Sequence, residues 1–594
     1  MNTPTRLLFF SCLSLLILLG FRLRPIPQTI ADTTPALPLS SDLWVATDGL
    51  GRTLPTAAET GAPRAKHVGI FYFLWHGEYA VKGGVYDISK LRRANPKSPK
   101  FGPEGAFHWW GEPEIGYYRA DDPWVIRRNL QLLTDAGIDF LFLDVTNRDT
   151  YLPTVRKLCD VSLQMRGEGI PTPAIVFITY TKTAETVGDL FTHFYTLKQY
   201  EPLWFRWQGK PLILSNRAEV TDPTQRDFFT YRYSWAWTPA ETVAHHWQWI
   251  DDTPQNYGWD TNPAVPEQIP VAVAGHPIRN IGKSYAQGRQ ARIDKNALTP
   301  QTSAGRYVGE QWKRALTVNP QLVMVTGWNE WMAQRFVARP DAKGNTTDFL
   351  GMKADSGQSY FVDLYNEEFN RDIEPMKGGY GDAYYYQLVA NVRRFKGLTP
   401  IASVGPKAGI KVDGAFGDWA AVTPRYRDWP GDVAHRNWPG ADKKTTYTNR
   451  TGRNDFIEAR TAFDEKQVFF WVKTYKPLTK PGPNWLLLLI DTDGKKSTGW
   501  QGYDLVVNRS VTSATQTTVQ RWQNGRWQAP APISYRAAGY QLELALPRTL
   551  FGTGAPHFDF HWVDNVPLTN GLTPFFTNGD SAPDRRFNYR FVGR

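Results

Sequence analysis

Glu330 lies in TGWNEWM, just after the apolar run LVMV and between Trp328 and Trp331. Asp144 closes a second apolar run, FLFL. Two carboxyl groups at the ends of buried strands are what cleavage of a glycosidic bond requires. One donates a proton to the leaving oxygen; the other attacks, activates water or stabilises positive charge at the ring. Indole walls exclude water and favour a protonated carboxyl, which suits position 330 to the acid role. Asn329 beside it suits a sugar hydroxyl. The alternative for Glu330 is an ion pair with an Arg that merely closes the fold; for Asp144 it is a helix cap or loop brace.

Other polar and aromatic residues end apolar runs and join the candidates for substrate contact: Trp75 and His76, Asn147, Tyr180, Asn216, Trp237 and His276. The connection from His76 to Asp121 is very long and carries FHWWGEPEIGYY, which adds His108, Trp110, Glu112 and Glu114. Structureless loops of this length are functional or disordered, and the aromatic density argues against disorder. For the two Glu residues, loop bracing or solvation is the competing reading, and for Trp75 and His76 it is packing. The stretch HHWQWIDDTPQNYGW offers a further sugar subsite in Trp249, Asp251 and Trp259. Aromatic residues make up 14% of the chain, with 24 Trp. Flat aromatic faces stack on the C–H faces of sugars, although large domains also bury many aromatics.

The elements that must position these residues show in the patterning. From about Lys66 to Gly397, apolar runs alternate with helical patterns: VGIFYFLW, DFLFLDV, AIVFITY, PLILSN, YSWAWT, IPVAVAGH and LVMVTGW. Continuous rather than alternating runs mark strands buried on both faces, as in parallel sheets. Asp122-Pro123 supplies a helix N-cap with Pro at the first position. Ile126, Leu130 and Leu133 form the buried face, and Gly137 stops the helix before DFLFLDV. This repeat predicts a (β/α)8 barrel over residues 66–397, with the eighth strand after His276; a doubly wound open sheet is the runner-up. In such a barrel the reacting groups lie at the C-terminal ends of the strands. Residues 398–410 read as a linker, and residues 411–594 as short alternating runs with turns, an all-β antiparallel sandwich. Asn524-Gly525 is a strong hairpin signal within it.

Composition narrows the partners. The net charge of +11 is weak over 594 residues, and no dense basic run or nucleic-acid motif is present. No zinc-ligand spacing and no glycine-rich phosphate loop occurs, so no cofactor is expected. Arg6 precedes an apolar stretch from Leu7 to Phe21, shorter than the roughly 20 residues of a membrane span. Residues 1–31 therefore read as a signal peptide cleaved after Ala31, giving a secreted or periplasmic protein without stable membrane insertion. The competing reading is an uncleaved anchor, because Arg22 and Arg24 follow the apolar run. Residues 32–65 form a lead segment. Cys12 lies within the apolar run, so cleavage leaves only Cys159, which reads as a packing residue.

VGIFYFLWHG, FLFLDVTN and TGWNEW together resemble the glycoside hydrolase family 71/99-like group. That group includes endo-α-mannosidases and lipopolysaccharide-biosynthesis proteins of the WbsX type. The resemblance implies a (β/α)8 barrel acting on a polysaccharide or glycan. In the endo-mannosidase branch the last strand resembles N-E-W-x-E, with both Glu residues implicated in catalysis. Glu330 matches the first, but the second position is Ala333. The partner role then falls to Asp144 or a loop carboxylate, or the domain binds glycan without cutting it. A surface-polysaccharide assembly factor is the third reading. KVDGAFGDWAAV, LLLLIDTDGKKSTGWQGYDLVV and NGDSAPDRRFNYRF resemble family 9 carbohydrate-binding modules and DOMON-like sandwiches. This likeness implies aromatic sugar clamps, for which Trp485, Trp500, Trp522 and Trp562 are candidates. Asp491, Asp493 and Asp504 are hard oxygen ligands suited to a structural Ca²⁺, or turn caps of IDTDG.

Overall fold

The computed structural model describes residues 40–77, 84–236, 243–274, 285–286, 289–290, 302–347, 353, 355–361, 370, 372–569 and 571–594. The apolar N-terminal stretch with Cys12, and the candidates Trp237 and His276, lie outside them. No helix among the described residues is long and apolar enough to cross a membrane.

The lead segment contributes β1 (Trp44–Ala46). The central unit is built on a parallel sheet of β2 (His67–Tyr72), β4 (Phe140–Asp144), β5 (Ala174–Ile178), β6 (Lys210–Leu214), β7 (Thr230–Arg232), β8 (Gln268–Ala272) and β9 (Leu322–Trp328). In space the order is β8-β9-β2-β4-β5-β6-β7, all parallel. Helices α1 (Pro123–Asp135), α2 (Leu152–Gly167), α3 (Thr183–Leu190) and α4 (Arg306–Val318) fall between strands, and α5 (Ala383–Lys396) follows the last. Asp122 caps α1 through the Trp124 and Val125 amides, as the Asp-Pro pair predicted.

The sheet is curled, and a side chain on one edge strand reaches a residue beside the other. Arg232, on the last strand of the order, forks onto Glu267 beside the first: Nε to Oε2 at 2.9 Å and Nη2 to Oε1 at 2.6 Å. The Trp207 and Trp247 indoles also donate to Glu267, each at 2.7 Å. Phe71, Phe142, Val176, Leu214, Ala272 and Met324, from six different strands, pack with Trp247 and Trp249 in one buried cluster. Strand alternation sends the other residues, such as Val68, Ile70, Val323 and Val325, into the cluster shared with the helices.

The His245–Trp249 segment runs between β7 and β8. Tyr233 forms a parallel bridge with His246, and Gln268 Nε2 donates to the Gln248 carbonyl. The stretch just after His276, where the eighth strand was expected, lies largely outside the described residues. Beyond His276 the described residues show a short antiparallel pair, Tyr285–Ala286 with Arg289–Gln290. The strand expected at YSWAWT starts earlier, at Thr230; Arg232 pairs with Leu214, and the chain leaves the sheet after Tyr233. The long connection after β2 is structured: its β3 (Phe107–Trp109) pairs antiparallel with β10 (Met332–Val337).

The C-terminal unit is antiparallel. Its main strands are β11 (Arg425–Arg427), β12 (Phe456–Phe463), β13 (Gln467–Thr474), β14 (Leu487–Asp491), β15 (Leu505–Val507), β16 (Gln516–Gln523), β17 (Ala531–Ala538), β18 (Gln541–Pro547), β19 (His557–Asp564) and β20 (Phe587–Val592). The order runs β1-β20-β19-β14-β15-β16-β17-β18-β13-β12-β11. Its two ends face each other: the Tyr426 ring lies 4.9 Å from Phe560 and 5.1 Å from Tyr589, and Phe463 lies 5.9 Å from Phe591. The lead segment is not a separate tail, because β1 extends this sheet through Trp44↔Tyr589. The expected linker is strapped down as well: the Val404 amide donates to Val592 O and the Lys407 amide to Phe463 O.

Candidate functional site

β9 carries the leading candidate. All its residues are buried, and the chain turns at Asn329 with φ of 58°, a left-handed conformation that Asn tolerates better than most residues. The Asn329 amide completes the turn: its Oδ1 accepts from the Phe73 amide at 2.8 Å and its Nδ2 donates to Phe73 O at 3.0 Å. This side chain therefore ties β9 to the end of β2, and those bonds occupy the groups expected to hold a hydroxyl. Glu330 follows, 4% exposed, its carbonyl accepting from the Trp110 indole at 3.1 Å. Trp110 stacks on Trp331 at 4.5 Å and 15°. Trp328, expected as a wall of the site, instead lies in the core shared with the helices, 6.2 Å from Tyr385.

A pair of carboxyls lies beside Glu330 that the sequence did not announce. Asp372 Oδ1 accepts from the Asn329 amide at 2.9 Å and from the Glu374 amide at 2.9 Å. Glu374 Oε2 accepts from the Tyr118 hydroxyl at 2.7 Å and from the Trp331 indole. Both are buried. Burial, then the charge of Glu374 and lesser charge from Glu330, push the Asp372 carboxyl well above its usual range. Burial likewise pushes Glu374 up to about 8, against the pull of the Trp331 and Tyr118 donors. Their source is NRDIEPM, which has neither strand periodicity nor a motif; the one signal was two acids two apart around a single Ile.

At the same C-terminal end runs a contiguous aromatic arc. Tyr180 stacks on Trp235 at 3.6 Å and 10°, and Trp235 meets Trp249 at 6.2 Å. Trp249 touches Phe71, Phe71 touches Phe73, Phe73 touches Trp75, and Trp75 reaches Phe107 on β3. Tyr180 is 42% exposed, while Trp235 and Trp75 are half-buried. Asp144, 6% exposed, ends β4 and accepts from the Thr146 amide at 3.0 Å. Asp251, 8% exposed, accepts from the Asp252 and Asn256 amides, each at 2.9 Å.

Other candidates are placed elsewhere. His76 is buried against Trp109 and Tyr118, with neither ring nitrogen hydrogen-bonded, and burial depresses its pKa to about 3. His108 braces the loop: its Nε2 accepts from the Gly102 amide, its Nδ1 lies 3.0 Å from Ala106 O, and its ring stacks on Tyr86. Burial lowers its pKa to about 4. Glu112 pairs with Lys90 and Lys377. Glu114 is forked by Arg585 of the C-terminal unit, at 2.5 and 2.9 Å, so it joins the two units rather than lining a cleft. Asn147 bonds Tyr151 and Asp149, and Asn216 caps the short helix Arg217–Glu219. Ala333 is buried opposite His108 in the β3–β10 ribbon. Burial pushes the Cys159 thiol up, away from nucleophilic use.

In the C-terminal unit, Trp485, Trp500 and Trp562 are 2%, 7% and 0% exposed. They are packed: Trp562 near Phe456, Trp485 near Tyr535, and Trp500 against Trp527 and Phe575. Trp522 and Trp527, in edge contact at 5.0 Å, are half-buried and reach the surface. The Asp491, Asp493 and Asp504 carboxylates lie within 4.8 Å of one another. They already serve the IDTDG turn: Asp491 accepts from Gly494 N and Lys496 Nζ, Asp493 from Lys495 N, and Asp504 from Thr492 N.

No protein-family model and no curated protein matches the chain. Among solved structures, two of the GH99 endo-alpha-mannosidase from Bacteroides thetaiotaomicron align with it. One, in complex with BIS-TRIS-propane, has 16% identity over 56% of this chain and 97% of the other, with a TM-score of 0.31. The second has 15% identity over 55% and 97%, with a TM-score of 0.32. A likeness at this level assigns neither activity nor residues.

Proposed function

We propose that the chain is a glycoside hydrolase acting on a polysaccharide or glycan, its curled parallel sheet a closed (β/α)8 barrel and its C-terminal sheet a carbohydrate-binding sandwich. The carrying observation is that one end of the parallel sheet gathers Glu330, Asp144 and the aromatic arc from Tyr180 to Trp75. Reacting groups gather at that end of such barrels. Sugar rings would lie on Tyr180, Trp235 and Trp75. Glu330 acts as the acid, and Asp144, one strand beyond β2, is the second carboxyl. Asp372 and Glu374 lie beside Glu330, held by an indole, a phenol and backbone amides, and so act as positioning residues. In the C-terminal unit the sugar surface narrows to Trp522, with Trp527 beside it, because the other three candidates, Trp485, Trp500 and Trp562, are internal. Export through the N-terminal apolar stretch accompanies this reading.

The test is release of reducing ends from a panel of polysaccharides, with Glu330→Gln and Asp144→Asn beside the parent chain. Loss of turnover in both, with binding retained, supports the assignment. Turnover unchanged in either removes that residue from the mechanism. Ala333 favours a second reading: the position that the resemblance reserves for another Glu is occupied by a buried Ala within a ribbon. Under that reading the same surface binds glycan without cutting it, and the panel shows binding with no turnover at all.

A further inference from the structure

A second cluster of carboxyls lies far along the chain from Glu330, between α1 and the C-terminal sheet. Asp428 directly follows β11, Asp432 lies in the next loop, and Asp580 begins the short strand Asp580–Ala582. One carboxylate oxygen from each lies within 4.8 Å of the others. Asp428 is 5% exposed, and neither of its oxygens has a hydrogen-bond partner; Asp432 Oδ1 also has none. Asp580 accepts from the Phe456 amide at 2.6 Å. Asp455 and Asp584 lie close enough to add their charge to the cluster.

The nearest basic residues, Arg128 and Arg127, act on Asp432 through their charge but form their ion pairs elsewhere. Arg128 pairs with Asp584 at 3.2 Å, and Arg127 pairs with Glu168 at 2.6 Å. Among the described residues, no Lys, Arg or His forms an ion pair with Asp428, Asp432 or Asp580. Several buried carboxylates of one sign cannot all stay ionised without a counter-charge. Protonating Asp428 does not settle the matter, because a buried hydroxyl with no acceptor is also costly. A small cavity of about 20 Å³ beside the cluster is lined by Asp432, Asp580, Asp584 and Arg128, but not by Asp428.

We propose that Asp428, Asp432 and Asp580 bind a divalent cation of the Ca²⁺ class, which pins the C-terminal sheet to helix α1 of the parallel-sheet unit. The donor set is all hard oxygen, and bonds of 2.3–2.6 Å place the oxygens around one Ca²⁺ at most about 5 Å apart. α1 borders the site directly: Gln131 Nε2 donates to Asp432 Oδ2 at 3.2 Å, and Trp429 Nε1 donates to Asp135 Oδ1 at 2.8 Å. The ion would therefore fix the orientation of the two units.

The test uses the full chain stripped with EDTA and titrated with CaCl₂, following bound calcium by equilibrium dialysis and the melting temperature by calorimetry. Calcium at about 100 times its Kd is expected to raise the melting temperature by roughly 2–7 °C. Asp428→Asn, near-isosteric and removing no hydrogen bond, is expected to lose one bound equivalent and that rise. Asp493→Asn, in the IDTDG turn, is expected to keep both. If Asp428→Asn fails to fold, anomalous diffraction from calcium-soaked parent crystals replaces it, with a peak expected between the three Asp side chains. No calcium-dependent rise in the parent, full binding in Asp428→Asn, or no peak at that position overturns the proposal.

Discussion

Glu267→Gln tests whether the two ends of the parallel sheet are held together by buried charge. Arg232 and Glu267 side chains are each 3% exposed and paired at 2.6 Å. The substitution leaves the Arg232 cation with Asp260 alone, at 3.1 Å and 27% exposed. It also turns an amide NH₂ toward a guanidinium or indole donor that Glu267 now accepts from. Breaking one partner of a buried pair costs about 3–5 kcal/mol, so the melting temperature of a unit this size is expected to fall by roughly 4–7 °C. The magnitude comes from an orphaned charge, so removing that charge must recover part of it. Arg232→Met combined with Glu267→Gln removes both buried charges, leaves the partly exposed Asp260 beside His245, and keeps an amide oxygen for one indole. It is expected to be more stable than Glu267→Gln alone. Urea unfolding followed by tryptophan fluorescence reads both, since Trp207 and Trp247 contact Glu267 directly. A loss below about 1 kcal/mol in the single variant, or a double variant no more stable than the single, refutes the reasoning.

Tyr180→Ala or Trp235→Ala removes one face of the exposed stack. Each is expected to weaken glycan binding about 3- to 10-fold, read by titration calorimetry, with little change in melting temperature for the exposed Tyr180. Arg585→Met leaves Glu114 without its forked partner, which loosens the contact between the two units; limited proteolysis is expected to cut the 398–410 segment faster. Stability should also depend on pH through the buried groups. Glu374, raised from 4.5 to about 8, stabilises the fold fully below its unfolded value and loses that contribution as pH rises between these values. Glu374→Gln should therefore flatten the decline of melting temperature over that window. His76, lowered from 6.5 to about 3, behaves oppositely: its contribution is complete above 6.5 and is lost as pH falls toward 3. His76→Phe should flatten the acid limb.

The parallel sheet was legible because strands buried on both faces are continuous apolar runs, and six of the seven expected runs form the strands or their ends. YSWAWT misled because its aromatics resemble a buried strand, whereas Trp235 leaves the sheet to stack on Tyr180. The segment bridging β7 and β8 was hidden because HHWQWI mixes polar and aromatic residues and pairs through isolated bridges. The position of residue 330, just past a buried strand, was legible from the apolar run before it. Asp372 and Glu374 were not, since turns from an irregular stretch bring them in. Likewise, no local pattern shows that Glu114 meets Arg585 or that Trp485 and Trp562 face inward. Those facts depend on which residues are opposite one another in the folded chain.

The most direct measurement is the turnover of Glu330→Gln on the best polysaccharide found for the parent chain, with binding measured on the same preparation. The account predicts a loss of about 10²- to 10⁴-fold in reducing-end release with affinity preserved, as expected when a proton donor is removed. Turnover equal to that of the parent would contradict it.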